Sequence, residues 1–132
     1  MCGVVALVGC TSADRLSALD RAVQDVRPSR FGSIAFDQHD DGKIGVAPTR
    51  TIGVLLGEGA LSTPGSTVEE SLKPYLGKAG FRPDTLSTWK RKSGGYYPTV
   101  DVSVVPAGHL MRTRDGPRVP LGRTGLVLSF TD

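Results

Sequence analysis

Glycine and proline are frequent in this chain, with 17 glycines and 9 prolines among 132 residues. Both interrupt regular structure, because glycine loses much entropy when it is ordered and proline lacks a backbone N–H donor. We therefore expect short elements joined by many turns, which favours a β-rich or α+β domain over a helical bundle. The length suits a single domain over residues 1–132, and no linker long enough to divide the chain is present.

The composition is that of a globular protein, with 39% hydrophobic and 22% charged residues. No apolar run approaches the roughly 20 residues that span a bilayer, and the N-terminus does not read as a signal peptide. Cys2 and Cys10 flank a predicted strand, which would hold the two thiols too far apart for a disulfide. We therefore expect a cytoplasmic protein with free thiols and no membrane association.

The charge pattern does not point to a nucleic-acid-binding protein. The net charge is +3, and most basic residues are scattered and accompanied by no recognisable DNA- or RNA-reading motif. The two histidines, His39 and His109, show no metal-ligand spacing with the cysteines. We predict no metal site and no cofactor.

The first half of the chain predicts a strand, a helix and a hairpin. A strand over Gly3 to Val8 is followed by a helix with apolar positions at helical spacing, which should end at Arg27-Pro28 because a residue before proline avoids the helical conformation. Those apolar positions are Leu16, Leu19, Val23 and Val26. A strand over Phe31 to Phe36 then turns at Asp40-Asp41-Gly42 into Lys43 to Ala47, and Thr51 to Leu56 extends the same sheet.

The second half predicts two short helices followed by strands. Thr67 and Glu70 have the spacing of a capping box, so a helix should run from Val68 towards Leu76, with Pro74 limiting or kinking it. Asp84, Leu86 and Trp89 indicate another short helix, which should end at Ser93-Gly94-Gly95. The predicted strands are Thr99 to Val105, His109 to Arg114 and Leu126 to Phe130.

Cys2 is the first candidate for chemistry. Removal of Met1 would place its thiol and a free α-amino group on one residue, and near neutral pH that amine can take the thiol proton. Gly3 would allow the backbone to approach a substrate closely beside the nucleophile. The alternative is that Cys2 is a small apolar residue at the start of a buried strand.

The run Met1-Cys2-Gly3-Val4-Val5-Ala6-Leu7-Val8-Gly9 resembles the start of the class II glutamine amidotransferases, including the N-terminal domain of asparagine synthetases. The resemblance implies an α+β fold of the Ntn-hydrolase type, with layered antiparallel sheets and short helices, here truncated. It also implies that Cys2 attacks a glutamine amide, with its own amino group as the general base.

Two further segments extend the resemblance to a substrate site. Thr49 and Arg50 match a Thr-Arg pair whose arginine binds the α-carboxylate of glutamine in that family; the alternative is a surface arginine at a strand end. Gly57 and Glu58 match part of an Asn-Gly-Glu turn. Leu56 replaces the asparagine, so the amide that stabilises the oxyanion is missing, a loss that typically costs about 10²–10³ in rate.

The segment Pro106-Ala107-Gly108-His109 resembles a structural joint near the end of the same family's domain, whereas nothing between Leu61 and Tyr97 matches the family's central region. Two functions follow. One is a shortened amidotransferase that acts on a small amide or amino acid beside an asparagine-synthetase-like partner. The other is an inactive binding or stabilising subunit for such a synthetase. An unrelated β-rich binding domain is a third interpretation.

Overall fold

The computed structural model describes residues 7–40, 47–57, 67–85, 87–92, 95–111 and 116–131, with backbone only for residues 7–15. Two α-helices lie within these ranges: α1 is Leu7–Val26 and α2 is Val68–Lys78. A short 3-10 turn, Pro28–Arg30, follows α1. In the described part of the chain, neither helix is long and apolar enough to cross a membrane.

Six strands lie within the described residues and form one antiparallel sheet. They are β1 (Gly32–Asp40), β2 (Thr49–Leu56), β3 (Arg82–Pro83), β4 (Thr88–Lys90), β5 (Thr99–Val105) and β6 (Gly125–Thr131). Their spatial order is β1-β2-β6-β5-β4-β3, so the last strand of the chain lies at the centre between β2 and β5. The sheet is therefore complete only when β6 inserts between β2 and β5, which are distant in sequence.

The main core lies between the two helices and one face of this sheet. Leu19, Val23 and Val26 of α1 are buried, as the helical spacing of apolar residues predicts. Leu72 and Leu76 of α2 belong to the same hydrophobic cluster. The sheet supplies alternate residues of its central strands, as expected for one buried face. These are Ile52, Val54, Leu56, Val100, Val102, Leu126, Leu128 and Phe130.

Among the described residues, the other face of the sheet is covered at one end. Met111 and Val119, from the segment between β5 and β6, are buried against Val127 in a second cluster. Towards the opposite end this face carries polar residues such as Thr51, Asp101 and Ser129, which share one row of the sheet. The molecule is thus a helix layer on a single sheet.

Several local predictions are confirmed. The helix α1 ends at Val26, directly before Arg27-Pro28. Thr67 caps α2 by accepting a hydrogen bond from the Glu70 backbone N–H at 3.2 Å, and Pro74 lies inside that helix. The α+β class with an antiparallel sheet is also confirmed, although the described residues form one sheet rather than layered sheets.

Three predictions are wrong. The strand over Gly3 to Val8 fails at its end, because α1 already begins at Leu7. The helix predicted from Asp84 to Ser93-Gly94-Gly95 is not present in the described residues of that segment: Thr88–Lys90 pairs with β5, and the longer-range pairing overrides a weak helical pattern. His109 to Arg114 is not a strand in its described part, since Leu110 makes only an isolated bridge to Arg118.

The predicted hairpin differs in its second arm. The strand β1 pairs with Thr49–Leu56, with Asp40 opposite Thr49, rather than with a strand that starts at Lys43. Ala47 lies outside the strands, and residues 41–46, which include the predicted turn at Asp41-Gly42, lie outside the described residues. The two long strands are therefore joined by a longer connection than a two-residue turn.

Candidate functional site

Arg50 connects three elements at the edge of the helix layer. Its Nε and Nη2 donate to the two carboxylate oxygens of Asp37 on β1, at 3.1 and 2.8 Å. Its Nη1 donates to Asp20 of α1 at 3.1 Å. All three guanidinium nitrogens of Arg50 are thus engaged with carboxylates, and its side chain is only 19% exposed. We call Arg50, Asp37 and Asp20 the Arg50 ion cluster.

The strand register explains this arrangement. Asp37 lies opposite Ile52 and His39 lies opposite Arg50, so all of them are on the face that α1 covers. The Arg50 hydrogen bonds lower the pKa of Asp37 below its ordinary value, against a smaller opposing effect of burial. His39 Nε2 lies 3.3 Å from Asp37 Oδ1 and adds to the same electrostatic effect. Asp37 is therefore held as a carboxylate.

A pocket of about 430 Å³ opens beside the Arg50 ion cluster. This volume lies within the range of small-molecule sites in proteins. The pocket is formed by the end of α1, the 3-10 turn, β1 and β2, and its lining residues are Val23, Gln24, Arg27, Pro28, Ser29, Ile34, Asp37, Arg50 and Ile52. The 3-10 turn and the loss of helical geometry at Arg27 create the opening, because α1 stops before it covers the end of the sheet.

Arg27 has an unusual backbone conformation. Its φ of 53° and ψ of 69° are left-handed, and it is the one non-glycine residue with positive φ in the described ranges. A helix commonly ends on such a residue, but glycine is the usual choice because it has no Cβ. The Arg27 N–H donates to Val23 O at 2.8 Å, which completes the end of α1.

Three polar side chains of the pocket have no partner within the part of the chain that the structure describes. The side chains of Gln24, Arg27 and Ser29 make no hydrogen bond or ion pair there, and all three residues are exposed. The apolar part of the wall includes Ile34, which is 43% exposed despite its size. A concave surface that combines apolar wall residues with a few polar side chains is typical of small-molecule sites.

The predicted substrate residues do not form one site. Thr49 and Arg50 are neighbours in β2, so their side chains point to opposite faces of the sheet. Gly57 follows the other end of β2, about 23 Å from Arg50 at the usual rise per residue. The Gly57 N–H donates to Phe31 O at 2.9 Å and is not available as an oxyanion donor. Leu56 is 6% exposed and belongs to the core.

His109 occupies a turn, as the family resemblance implied for this segment. The His109 N–H donates to Pro106 O at 3.2 Å, and Gly108 between them has a φ of 84°. The imidazole is exposed, and the backbone of this turn is linked to Val119. Cys2, Gly3 and Glu58, the other predicted site residues, lie outside the described residues.

Sequence reasoning missed the roles of four residues in the pocket region. Asp37 and His39 are two residues apart in β1 and so lie on the same face of the sheet. With the correct register of β1 and β2, this spacing would have predicted that both lie beside Arg50. Asp20 reaches Arg50 only because α1 packs across the sheet, so no local pattern indicates it. Arg27 was noted only as the residue before a proline.

Comparison of this chain with protein-family models, curated proteins and solved structures finds no match. The fold and the site define the class on their own: an α+β domain with one helix-covered antiparallel sheet and a mixed apolar and charged pocket at the end of its first helix.

Proposed function

We propose that this chain is a small cytoplasmic binding domain without catalytic chemistry, and that its ligand site is the pocket beside Arg50. The observation that carries the proposal is the combination in that pocket of an exposed Ile34 with three polar side chains that have no hydrogen-bond or ion-pair partner among the described residues. A ligand that covers a large exposed apolar side chain and accepts hydrogen bonds from nearby donors gains binding free energy from both contacts.

The state of Arg50 supports binding rather than glutamine hydrolysis. A free arginine recognises a substrate carboxylate by a bidentate contact, but Arg50 already makes that contact with Asp37. Glutamine would have to displace one of two carboxylates to bind there. The buried Leu56 and the engaged Gly57 N–H also offer no donor for an oxyanion.

The proposal is tested by recording ¹H–¹⁵N correlation spectra of the full chain with small anionic, neutral and cationic compounds. Binding at this site predicts concentration-dependent shifts confined to the lining residues, with Arg27 and Ile34 among them. Shifts confined to the open sheet face around Asp101 and Ser129, or no shifts at millimolar concentrations, would contradict the proposed site.

A second candidate function is that of a class II amidotransferase, with an Ntn-type fold, Cys2 as nucleophile and an asparagine-synthetase-like partner that uses the released ammonia. The Met-Cys-Gly start favours it, as does the location of Arg50 at the wall of a pocket. The same pocket would then take a glutamine side chain or another small amide.

This candidate is distinguished by the intact mass of the protein before and after incubation with a glutamine-like alkylating analogue. Loss of Met1 and one adduct that disappears in Cys2→Ala would support the enzyme. Cys10→Ala is the matched control, because it removes the other thiol and leaves the N-terminal nucleophile in place. A retained Met1, or no adduct on folded protein, would leave the binding domain as the function.

In either case the partner proposed for the chain is a synthetase that makes an amide bond. A binding subunit would deliver or sense a small molecule for that enzyme, and an amidotransferase would supply ammonia to it. Copurification of a synthetase-sized protein, compared between the native chain and the Arg27→Ala variant, tests whether pocket and partner are linked.

A further inference from the structure

We propose that the pocket binds a small organic anion, a carboxylate with a compact apolar body, and that Arg27 is the residue that pairs with its charge. This inference rests on the proposed binding function and specifies the class of ligand. Four charged side chains lie in or beside the pocket, and they differ in whether they have an ion-pair partner. Arg50, Asp37 and Asp20 satisfy one another, whereas the Arg27 side chain has no partner within the described ranges.

The unmatched donors around Arg27 all favour an anion. Gln24 and Ser29 also line the pocket, and their side chains are equally without hydrogen-bond partners in the described part of the chain. A guanidinium with neighbouring amide and hydroxyl donors is suited to a carboxylate, which accepts several hydrogen bonds in one plane. Asp37 is paired with Arg50, but the Arg50 ion cluster holds two carboxylates against one guanidinium, so an anion would be directed to the Arg27 side of the pocket.

The apolar residues that line the pocket favour a ligand with an apolar body. Val23 and Ile52 are almost fully buried but still contribute to the pocket wall, and Pro28 closes the side towards the 3-10 turn. Ile34 would pass from exposed to covered when the pocket fills. The apolar area removed from water supplies binding free energy, while the charge sets the orientation.

The backbone of Arg27 is a second observation at the same residue. The left-handed conformation at the end of α1 suits glycine, and an arginine there is held in an unfavourable conformation. Its side chain makes no hydrogen bond or ion pair with another described residue. A backbone that is costly to the fold, at a residue whose side chain has no hydrogen-bond or ion-pair partner among the described residues, is accounted for by a contact that only the bound state makes.

The test uses three compounds of the same size that differ in charge: phenylacetate, phenylacetamide and phenethylamine. Each is titrated into the ¹⁵N-labelled full chain, and dissociation constants are taken from the shifts of residues that line the pocket. We expect phenylacetate to bind about tenfold or more tightly than phenylacetamide, which corresponds to about 1.4 kcal/mol. Arg27→Ala should remove that difference, and Arg21→Gln, which lies in α1 but does not line the pocket, should keep it.

The outcomes separate this inference from the function on which it rests. If phenethylamine or phenylacetamide shifts the pocket signals and phenylacetate binds no better, the proposal of an anionic ligand is wrong and the proposal of a binding domain is supported. If none of the three compounds shifts the pocket signals, both proposals fail. If Arg27→Ala loses stability but phenylacetate still binds as before, Arg27 serves the negative end of α1 instead of a ligand.

Discussion

Arg50 binds Asp37 through two parallel hydrogen bonds, 3.1 Å from Nε to Oδ1 and 2.8 Å from Nη2 to Oδ2. The pair joins β1 to β2 across the sheet, and the third bond, to Asp20, ties both strands to α1. A side-chain cluster of this kind fixes the wall of the pocket, because it links Arg50 to residues that are 13 and 30 positions away in the chain. Arg50 is therefore a positioning residue in the site, and Arg27 is the group left to meet a ligand.

The carboxylate of Asp37 should make the stability of the fold fall in acid. The Arg50 hydrogen bonds hold the Asp37 pKa below its ordinary value in the folded state. The unfolded chain therefore binds the proton first, so the contribution is present above about pH 4 and is lost as the pH falls through the lower folded pKa. We expect Asp37→Asn to reduce the free energy of unfolding at pH 7 by about 0.5–1 kcal/mol, a value that allows for solvent screening.

Urea unfolding at a series of pH values measures this effect. The Asp37→Asn variant should approach the native protein in stability as the pH is lowered, because the native chain has then lost the same interaction. Asp101→Asn is the matched control, since Asp101 is exposed on β5 and makes no ion pair with another described residue. An equal acid dependence in the native chain and in Asp37→Asn would contradict the assignment.

Arg27→Gly should stabilise the protein. The residue has a φ of 53°, a conformation that costs an L-residue about 1–2 kcal/mol and glycine almost nothing. Glycine also gives the unfolded chain more freedom, so we expect a net gain of about 0.5–1 kcal/mol. Arg27→Ala keeps the strained backbone and should change stability by less than about 0.5 kcal/mol. Thermal unfolding of the two variants and the native chain measures these differences. A loss of stability in Arg27→Gly would contradict the claim that the Arg27 backbone is strained.

Sequence patterns predicted the parts of this fold that depend on neighbours in the chain. The spacing of Leu19, Val23 and Val26 indicates one face of a helix, and Thr67 with Glu70 indicates where the next helix begins. Both signals lie within a few residues, so the local physics is sufficient. The alternating or apolar runs of β2, β5 and β6 were recognised for the same reason.

The parts that were missed depend on contacts across the chain. Thr88–Lys90 becomes a strand because β5 lies beside it, although the sequence from Asp84 to Trp89 has a weak helical spacing. Arg50 was identified from the family resemblance, but its partners required knowledge of the strand register and of the packing of α1. A carboxylate 13 or 30 residues away in sequence leaves no periodic signal.

The glycines of β2 and α2 should respond in opposite ways to alanine. A Cβ on Gly53 would overlap the Phe36 ring, which lies across it from β1, and we expect Gly53→Ala to cost about 1–3 kcal/mol. A Cβ on Gly77 meets nothing within 4 Å, and Gly77 lies inside α2. Gly77→Ala should therefore stabilise by about 0.5–1 kcal/mol. Chemical denaturation measures both, and a stable Gly53→Ala would show that Phe36 moves aside at little cost.

Arg91 should resist replacement by lysine, although lysine keeps the charge. Arg91 Nη1 donates to Asp25 at 2.8 Å and to Ala79 O at 2.7 Å, and the guanidinium lies 5.4 Å from the centre of the Phe81 ring. The side chain is 11% exposed and joins the ends of both helices to the strand region. A planar guanidinium reaches both acceptors while it stacks on the ring, whereas an ammonium is a compact charge without that geometry.

We expect Arg91→Lys to lower the free energy of unfolding by about 1–2 kcal/mol. Lys90→Gln is the matched control. Lys90 is the preceding residue, is 47% exposed and lies 3.8 Å from Asp84, so its loss should change stability by less than about 0.5 kcal/mol. Urea unfolding in low and high salt separates the two contributions of Arg91, because salt screens the Asp25 pair more than the contact with Phe81. If Arg91→Lys were as stable as the native chain at both salt concentrations, the ring contact and the bond to Ala79 would contribute nothing, and the helix ends would have to be held together by the hydrophobic core alone.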